Sequence, residues 1–324
     1  MPCIMILLDL RLMKILRFTA FANIGLILIS WQPPKQAGVS LIVLGTIQDG
    51  GSPHIGCNKA CCRDLFTHPD YRRKVVSLGI IDAQNKQTWL FEATPDMPAQ
   101  AKILKNASGF QTKEIPDGIF LTHAHIGHYT GLMYLGKEAI NSKAVLTYAM
   151  PRMKTFLETN GPWSQLVSLN NISLQAMQNE QEVVLSNNVK VTPIIVPHRD
   201  ELSETVGYKI DGPNKKILFI PDINKWQLWN RDIAHEISAV DYVFVDGTFY
   251  SGDELQTRNI AEIPHPFIIE TMKLLAGLPP REKAKVYFIH FNHTNPVINP
   301  KSPQALKVLK NGFHIAKFGE RIAL

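Results

Sequence analysis

The stretch Gly118-Ile119-Phe120-Leu121-Thr122-His123-Ala124-His125-Ile126-Gly127-His128 places three histidines within six residues, directly after an apolar segment. The apolar segment, 118–121, is typical of a buried β-strand, so the histidines fall at a strand's end, where binding sites in α/β proteins are commonly built. Neutral imidazole is the most common protein ligand for metals and suits zinc, iron and nickel. Three such side chains cannot all be core residues, because each would need its own buried polar partner. We therefore predict a metal site at this strand end.

The composition is that of a globular protein. The chain has 324 residues, of which 45% are hydrophobic and 19% charged, with a formal net charge of +6. Such a length holds one large domain or two small ones. The basic groups Arg72-Arg73-Lys74 and Lys215-Lys216 are short and are interpreted as solvated corners, so no nucleic-acid partner is expected. No internal repeat or low-complexity tract is found.

The first 38 residues differ from the rest of the chain. The basic start 13–17 precedes an apolar run, 18–31, which Gln32-Pro33-Pro34-Lys35 ends. This pattern predicts a secretory signal peptide or an uncleaved N-terminal membrane anchor over residues 1–38, and so an exported protein, periplasmic or attached to a membrane. The alternative is a buried N-terminal helix in a cytoplasmic protein.

Residues 39–324 alternate between apolar strand-like runs and helical segments in two similar halves, with no linker between them. This pattern predicts a single mixed α/β domain. The predicted strands are 41–45, 77–82, 88–91, 118–121, 145–148, 190–196, 206–210, 216–220, 242–245 and 286–289. Helices are predicted over 98–105, through 131–135 and over 152–158.

Three of the later strands end in residues suited to a metal site. Ile195-Val196-Pro197-His198 delivers a histidine, Phe219-Ile220-Pro221-Asp222 an aspartate and Phe288-Ile289-His290 a second histidine. A single polar residue at a strand end is usually a cap or part of a turn. Together with the histidine run, these three are candidate metal ligands.

The histidine run resembles the signature His-x-His-x-Asp-His of the metallo-β-lactamase superfamily, and the later strand-end residues follow in that superfamily's order. The resemblance implies two packed β-sheets with helices outside, a four-layer αββα sandwich of the α/β (α+β) class. It also implies two adjacent metal sites. Site one is assigned His123, His125 and His198, site two is assigned His128 and His290, and Asp222 bridges the two metals.

Position 127 departs from that signature, because glycine stands where the superfamily carries aspartate. Site two is therefore expected to be weaker, absent or filled differently, with water or substrate in the place of the carboxylate. On this view Gly127→Asp would raise the metal content, and His128→Ala would cost less activity than His125→Ala.

The resemblance implies a metal-dependent hydrolase with a small-molecule substrate. One or two catalytic ions, most simply zinc, would lower the pKa of a bound water toward about 7, and the hydroxide would attack an ester, lactone, amide or phosphodiester. Asp222 and His198 are the expected catalytic residues: Asp222 holds the metal and accepts a hydrogen bond from the hydroxide, and His198 completes a three-ligand open site. Iron is the alternative metal.

Several further segments look like those of the coenzyme PQQ synthesis protein B family. They are 48–53, 241–248, 263–266 and 288–296, which include Asp246 and His265 as residues that could line the pocket or serve the structure. This resemblance implies a second candidate function, an oxidative or precursor-handling role related to PQQ biosynthesis. A third is a non-enzymatic carrier of a metal or small molecule, in which Gly127 marks the loss of catalysis.

A carboxylate near the N-terminal strands is expected to support the histidine run. Leu90-Phe91-Glu92-Ala93-Thr94-Pro95-Asp96 occupies the place of the superfamily's first motif. Asp96 is assigned to orient a histidine or the loop. Glu92 could share that role, and either side chain could instead be a solvated carboxylate.

Three of the four cysteines cluster after a glycine-rich turn. Phosphodiesterase relatives in the superfamily carry clustered cysteines there and a histidine three positions beyond the last metal histidine. By that resemblance Cys57, Cys61, Cys62 and His293 would hold a structural zinc in a closed tetrahedral site. A disulfide within the cluster or free buried thiols are the alternatives.

Overall fold

Two seven-stranded sheets make up the framework of the computed structural model, which describes residues 38–255 and 263–324. In the first sheet the strands are ordered β14-β1-β2-β3-β4-β5-β6. Their bounds are β1 Val39–Gly45, β2 Ser77–Asp82, β3 Gln87–Phe91, β4 Gly118–Phe120, β5 Val145–Ala149, β6 Ile172–Ala176 and β14 Arg321–Ala323.

The second sheet has the order β13-β12-β11-β10-β9-β8-β7. Its strands are β7 Val183–Val184, β8 Lys190–Ile195, β9 Val206–Asp211, β10 Lys216–Ile220, β11 Tyr242–Asp246, β12 Val286–Ile289 and β13 His314–Ile315. The strands β9 and β10 pair antiparallel and form a hairpin.

Helices cover the outer face of each sheet. They are α1 Met97–Ser108, α2 Ile126–Tyr129, α3 Pro151–Thr159, α4 Trp163–Ser168, α5 Ile233–Ser238, α6 Ile268–Leu274, α7 Pro280–Lys283 and α8 Pro303–Lys310. One buried cluster joins α1, α3 and α4 to the first sheet, and another joins α5, α6 and α8 to the second. A third apolar cluster lies between the sheets. The expected four-layer αββα arrangement is therefore confirmed.

The segment predicted as a helix through 131–135 is a 3₁₀-helix, Thr130–Leu135. Its second residue, Gly131, packs so closely on the chain that follows β3 that an added Cβ would lie 2.1 Å from the carbonyl oxygen of Thr94. The backbone N–H of Gly131 also donates to the carbonyl oxygen of Ala93. Because Gly131 makes this contact with the chain after β3, the segment forms a 3₁₀-helix and not a regular α-helix.

The predicted signal peptide or anchor over residues 1–38 lies almost wholly outside the described residues. Among the residues that are described, no helix has the length and apolar character needed to cross a membrane.

Parallel pairing brings the ends of the central strands to one edge of the sandwich. Strands β3 to β6 run parallel in the first sheet, and β10 to β13 run parallel in the second. Residues that follow the carboxyl ends of parallel strands meet at the same edge, which is where open α/β sheets bind ligands. The candidate ligands follow β4, β8, β10 and β12 and therefore come from both sheets.

Aromatic rings hold β4 in the centre of the sandwich. Phe120 stacks on Phe91 with 4.9 Å between ring centroids and on Tyr148 with 4.3 Å, and it meets Tyr208 edge to face at 5.6 Å. The Tyr208 hydroxyl donates to the carbonyl oxygen of Leu121. The strand that ends in the histidine run is thus fixed by packing on both sides.

Removing the Phe120 ring should therefore destabilise the whole domain. We expect Phe120→Ala to lower the free energy of unfolding by about 3–5 kcal/mol, through lost apolar burial and a cavity. Denaturant unfolding followed by circular dichroism measures this change, with Phe66→Ala, at a ring that is 56% exposed, as the control. A loss below about 1 kcal/mol would show that the core closes around the gap.

Candidate metal centre

Four of the predicted ligands converge in what we call site one: His123, His125, His198 and Asp222. Nδ1 of His125 lies 2.8 Å from Nε2 of His123 and 3.3 Å from Nε2 of His198. Oδ2 of Asp222 lies 3.2 Å from His198 Nε2 and 3.4 Å from His123 Nε2. Zinc with four ligands at 2.0–2.1 Å separates neighbouring donor atoms by about 3.3 Å, so these donors fit a tetrahedral ion.

Asp49, His128, His290 and Asp222 form a second group, which we call site two. Oδ1 of Asp49 lies 2.9 Å from Nε2 of His128 and 3.1 Å from Nε2 of His290. Oδ2 of Asp222 lies 3.9 Å from His128 Nε2. The same carboxylate oxygen therefore faces both sites, as expected of a bridging ligand.

Asp49 is the functional residue that the sequence reasoning missed. It follows β1 in the loop Gln48-Asp49-Gly50-Gly51, and it meets His128 across 79 positions of the chain. Site two was expected to be weaker, absent or filled differently, and the geometry fits the last of these, with Asp49 in the place where water or substrate was expected. The available signal was an acidic residue shortly after a buried strand, which alone does not distinguish a ligand from a turn residue.

Gly127 explains how Asp49 reaches this position. A Cβ at residue 127 would lie 2.5 Å from Cα of Asp49, 2.8 Å from its Cβ and 2.9 Å from its Cγ. The loop therefore occupies the space that a side chain at 127 would need. There is thus no vacancy for Gly127→Asp to fill, and this substitution is no longer expected to raise the metal content. With Asp49 at site two, His128 is also no longer expected to matter less than His125.

Hydrogen bonds to the second ring nitrogen orient three of the histidines. Nδ1 of His123 lies 2.8 Å from Oγ1 of Thr122, and Nδ1 of His290 lies 2.9 Å from Oγ1 of Thr248. Nδ1 of His198 lies 3.1 Å from Oδ1 of Asn224. Histidine ligands to metals almost always carry such a partner, which fixes the tautomer and the ring orientation.

The supporting carboxylate of the histidine run is Glu92. Its buried Oε1 lies 3.3 Å from Nδ1 of His128, and its Oε2 accepts a hydrogen bond from the Thr122 backbone N–H. Glu92 adopts φ +78°, a left-handed conformation that is costly for a residue with a side chain and is often found at functional sites. The turn aims the carboxylate back at the histidine run.

Asp96 orients a loop and not a histidine. Its Oδ2 accepts from the backbone N–H of Val75 at 2.9 Å, and its Oδ1 lies 3.2 Å from Nζ of Lys74. Of the two roles expected for this carboxylate, the structure thus assigns the loop to Asp96 and the histidine to Glu92.

The pKa shifts in the centre favour the protonation states in which most of these groups bind metals. Burial holds the pKa of His123 well below its usual value and that of His125 at about 4, so both imidazoles are neutral at pH 7. Burial alone would raise the pKa of Asp222 and of Asp49, but the surrounding histidines hold both well below their usual range. Neutral imidazole and ionised carboxylate are the forms that bind metals.

His128 is the exception in the metal-free protein. Burial alone would lower its pKa, but Asp49 and Glu92 outweigh that effect and hold it well above the usual value. The raised pKa favours a proton on His128, which faces the Asp49 carboxylate at 2.9 Å. Metal binding at site two would release that proton.

Asp246 and His265 lie beside site one. Oδ2 of Asp246 lies 2.8 Å from Nδ1 of His265, and the same nitrogen lies 3.2 Å from Oδ1 of Asp222. Oδ1 of Asp246 accepts from the N–H and the hydroxyl of Thr248. Asp246 is fully buried, whereas His265 lines the pocket.

The predicted structural-metal ligands also come together. The Sγ atom of Cys61 lies 3.8 Å from that of Cys57 and 3.9 Å from that of Cys62, and His293 completes the group, which we call the cysteine site. Tetrahedral zinc with Zn–S bonds of 2.3 Å separates two sulfurs by about 3.8 Å. These three thiols are not joined in a disulfide, and Nδ1 of His293 is buried without a hydrogen-bond partner. The donors fit a closed zinc site.

A pocket of about 480 Å³ opens over the centre, a size typical of small-molecule sites. Asp49, His125, His198, Asp222 and His265 lie along it, together with His54, Lys59, Arg199 and His293. Its floor is thus shared by both metal sites, and one wall belongs to the cysteine site.

The chain is similar to proteins of known family. The profile of the beta-lactamase superfamily domain matches residues 87–291. Coenzyme PQQ synthesis protein B from Xanthomonas axonopodis pv. citri (strain 306) is 25% identical over 307 residues, which cover 88% of this chain and 99% of that protein. The two resemblances inferred from the sequence are thereby confirmed.

Solved structures share the fold. Zinc-bound PqqB from Methylobacterium extorquens superposes with a TM-score of 0.73 at 20% identity, over 88% of this chain and 100% of that one. A diphosphatase from the PhnP family superposes with a TM-score of 0.59 at 20% identity, over 88% and 96%.

The contact between Gly127 and Asp49 leads to a prediction. Gly127→Ala should push the 48–51 loop away from His128 and lower the metal content by about one ion per chain, because site two loses its carboxylate. Elemental analysis of the folded variant measures this, with Gly277→Ala, where an added Cβ meets no atom within 4 Å, as the control. An unchanged metal content in Gly127→Ala would show that Asp49 is not a ligand.

Proposed function

Because this chain belongs to the beta-lactamase superfamily, we propose that it is a metal-dependent hydrolase of a small-molecule ester, lactone, amide or phosphodiester. The observation that carries the proposal is the pair of donor groups that share Oδ2 of Asp222 on the floor of one pocket. Ions held by these two donor groups would share one carboxylate oxygen and could act together on one substrate group. A buried carboxylate between two sets of imidazoles has no comparable use in a purely structural core.

The donor set favours zinc. His123, His125, His198 and Asp222 would hold the ion of site one, and their spacing fits a tetrahedral ion as shown above. Zinc is also the metal named for the PqqB structure that shares this fold. When bound, such ions supply Lewis acidity and a nucleophile that is available at neutral pH. Iron(II) accepts histidine and carboxylate ligands as well, so the metal has to be identified directly.

Protein groups around the centre would position the substrate. Oδ1 of Asp222 is buried without a well-formed hydrogen bond, so this oxygen can accept a hydrogen bond from a bound water. The guanidinium of Arg199 lies 3.2 Å from Nε2 of His125 at the pocket wall and is half-exposed, which suits it to bind an anionic substrate oxygen. Asn292 and Thr294 add polar groups to the same pocket.

His265 can donate a proton to the leaving group of the substrate. Asp246 holds its Nδ1, so Nε2, which has no hydrogen-bond partner among the described residues, is the nitrogen left for a substrate oxygen. A histidine oriented by a buried carboxylate is a common arrangement for donating a proton in hydrolysis. His265 would act on the substrate and not on the metals.

A second candidate function is a step in PQQ biosynthesis, which the match to coenzyme PQQ synthesis protein B over 99% of that protein favours. In that role the same pocket would hold a PQQ precursor, and the metal chemistry would be hydrolytic or oxidative. The third candidate, a carrier that has lost catalysis at Gly127, is weakened because Asp49 brings a carboxylate to the same site.

The main prediction is metal-dependent hydrolysis that requires Asp222. We expect the purified protein to hydrolyse at least one member of a panel of phosphodiesters, lactones and β-lactams, and Asp222→Asn to lower kcat/KM by at least about a hundredfold. The control His235→Asn changes a histidine that is exposed on α5 and should leave the rate unchanged. Elemental analysis identifies the metal in the same preparation.

Two results would count against hydrolysis. If the metal-loaded protein binds ligands in the pocket but hydrolyses no member of the panel, the carrier function is favoured. If iron is the bound metal and turnover consumes oxygen, the oxidative function replaces the hydrolytic one.

A separate prediction concerns His265. His265→Gln should lower kcat about a hundredfold while the metal content stays the same, because its role is proton donation and not metal binding. The loss should be smallest for substrates whose leaving group needs no proton. An equal fall in metal content would show instead that His265 holds Asp222 in place.

A further inference from the structure

The cysteine site and site two draw their ligands from the same two segments. The loop 46–62 carries Asp49 of site two and the three cysteines, and the segment 290–293 carries His290 of site two and His293 of the cysteine site. Site one takes no ligand from either segment. A contact that fixes the relative position of these two segments therefore affects the ligand positions of site two and not those of site one.

In the part of the chain that the structure describes, backbone hydrogen bonds join these two segments only near Gln48 and Phe291. The N–H of Gln48 donates to the carbonyl oxygen of Phe291, and the N–H of Phe291 donates to that of Thr46, both within 2.9 Å. Beyond Gln48 the loop runs as turns, with no strand or α-helix before the cysteines. The guanidinium of Arg73 donates a hydrogen bond to Oγ of Ser52 and so fixes the middle of this loop.

His54 links the cysteine site to Asp49. Its backbone N–H donates to Sγ of Cys62 at 3.3 Å, and its carbonyl oxygen accepts from the N–H of Cys57. Its ring stacks on His293 with 4.3 Å between centroids. The ring also packs against Gly50, the residue after Asp49, where an added Cβ would lie 2.5 Å from Cδ2 of the imidazole. Nδ1 of the same ring lies 2.8 Å from the carbonyl oxygen of Ile55. Because the ring packs against Gly50, a change in the position of His54 would displace the chain next to Asp49.

Among the described residues, the carboxylate of Asp49 has no hydrogen-bond partner outside the centre. The hydrogen-bond partners of its carboxylate among the described residues are His128 and His290, which are ligands of the same site. Its position relative to them therefore depends on the loop backbone. By contrast, each histidine of site two has a separate partner, Glu92 for His128 and Thr248 for His290.

We propose that metal binding at the cysteine site positions Asp49, so that site two is filled only when Cys57, Cys61, Cys62 and His293 hold their own ion. The proposal rests on the metal sites of the proposed function but not on hydrolysis. Zinc in the cysteine site fixes the loop from 57 to 62 to the segment at 293, and the stacked His54 then holds Gly50 and Asp49 over Gly127. Site one, which follows β4, β8 and β10, is independent of this support.

Metal stoichiometry of variants tests this coupling. The wild-type chain loaded with zinc should hold about three ions, Asp49→Asn about two, and Cys61→Ser about one, because losing the cysteine site empties site two as well. Cys61→His should restore about three, since two cysteines with two histidines are also a regular zinc ligand set. Cys3→Ser removes the one cysteine outside the site and is the matched control.

The count of Cys61→Ser decides between coupling and independence. A folded variant that retains about two ions has lost only the cysteine site, and the proposal is wrong. A wild-type chain that binds no metal at the cysteines would also overturn it. Both readings are obtained without an activity assay, so failure of the coupling is distinguishable from absence of hydrolysis.

A measurement on the native sequence covers the case in which Cys61→Ser does not fold. A thiol-specific mercurial displaces zinc from thiolates, and zinc release is followed with a colorimetric chelator in the Cys3→Ser background. Coupling predicts release of about two ions per chain, with the circular dichroism spectrum unchanged. Release of about one ion would show that site two keeps its metal without the cysteine site.

Discussion

The buried carboxylate of Asp222 is the constraint around which the rest of this structure is arranged. Only 3% of the residue is exposed, and its Oδ2 lies within 3.9 Å of nitrogens from three histidines. A carboxylate in such a place is stable only if positive charge surrounds it. Asp49 brings a second, partly buried carboxylate to the same centre, which increases that requirement. Metal ions held by the donors present would satisfy it, and a proton on His128 would satisfy it in part without them.

The sandwich meets this requirement because it offers strand ends from two sheets at one edge. Strand β4 contributes the histidine run from the first sheet, and β10 and β12 contribute Asp222 and His290 from the second. A single sheet would place its strand-end residues in a row about 4.8 Å apart, too far for one ion to bind several of them. Two packed sheets bring strand ends together from opposite sides, so that their residues surround a common point. The aromatic cluster around Phe120 is therefore part of the metal centre's geometry as well as of the core.

Much of this centre could be predicted from the sequence because its ligands follow recognisable strands. His198, Asp222 and His290 each come after an apolar run of four to six residues, and the pairing of those strands follows from their order. Asp49 could not be predicted, because it sits in a turn-rich loop and meets its partners across 79 and 241 positions. The roles of Glu92 and Asp96 depended on the direction of one left-handed turn, which no periodicity reveals. Contacts that depend on loop paths are beyond pattern reasoning.

The pair Gly127 and Asp49 shows why a departure from a signature is weak grounds for inferring a lost site. The ion requires an oxygen at a given point, and it is indifferent to the part of the chain that delivers it. Here the loop after β1 delivers the oxygen, and glycine at 127 follows as a steric consequence, since any side chain there would displace Asp49. What changes is the support of that ligand. A carboxylate on the short helix α2 would be held by the core, whereas Asp49 is held by the loop after β1, whose position beyond Gln48 depends on the cysteine site in the coupling that we propose.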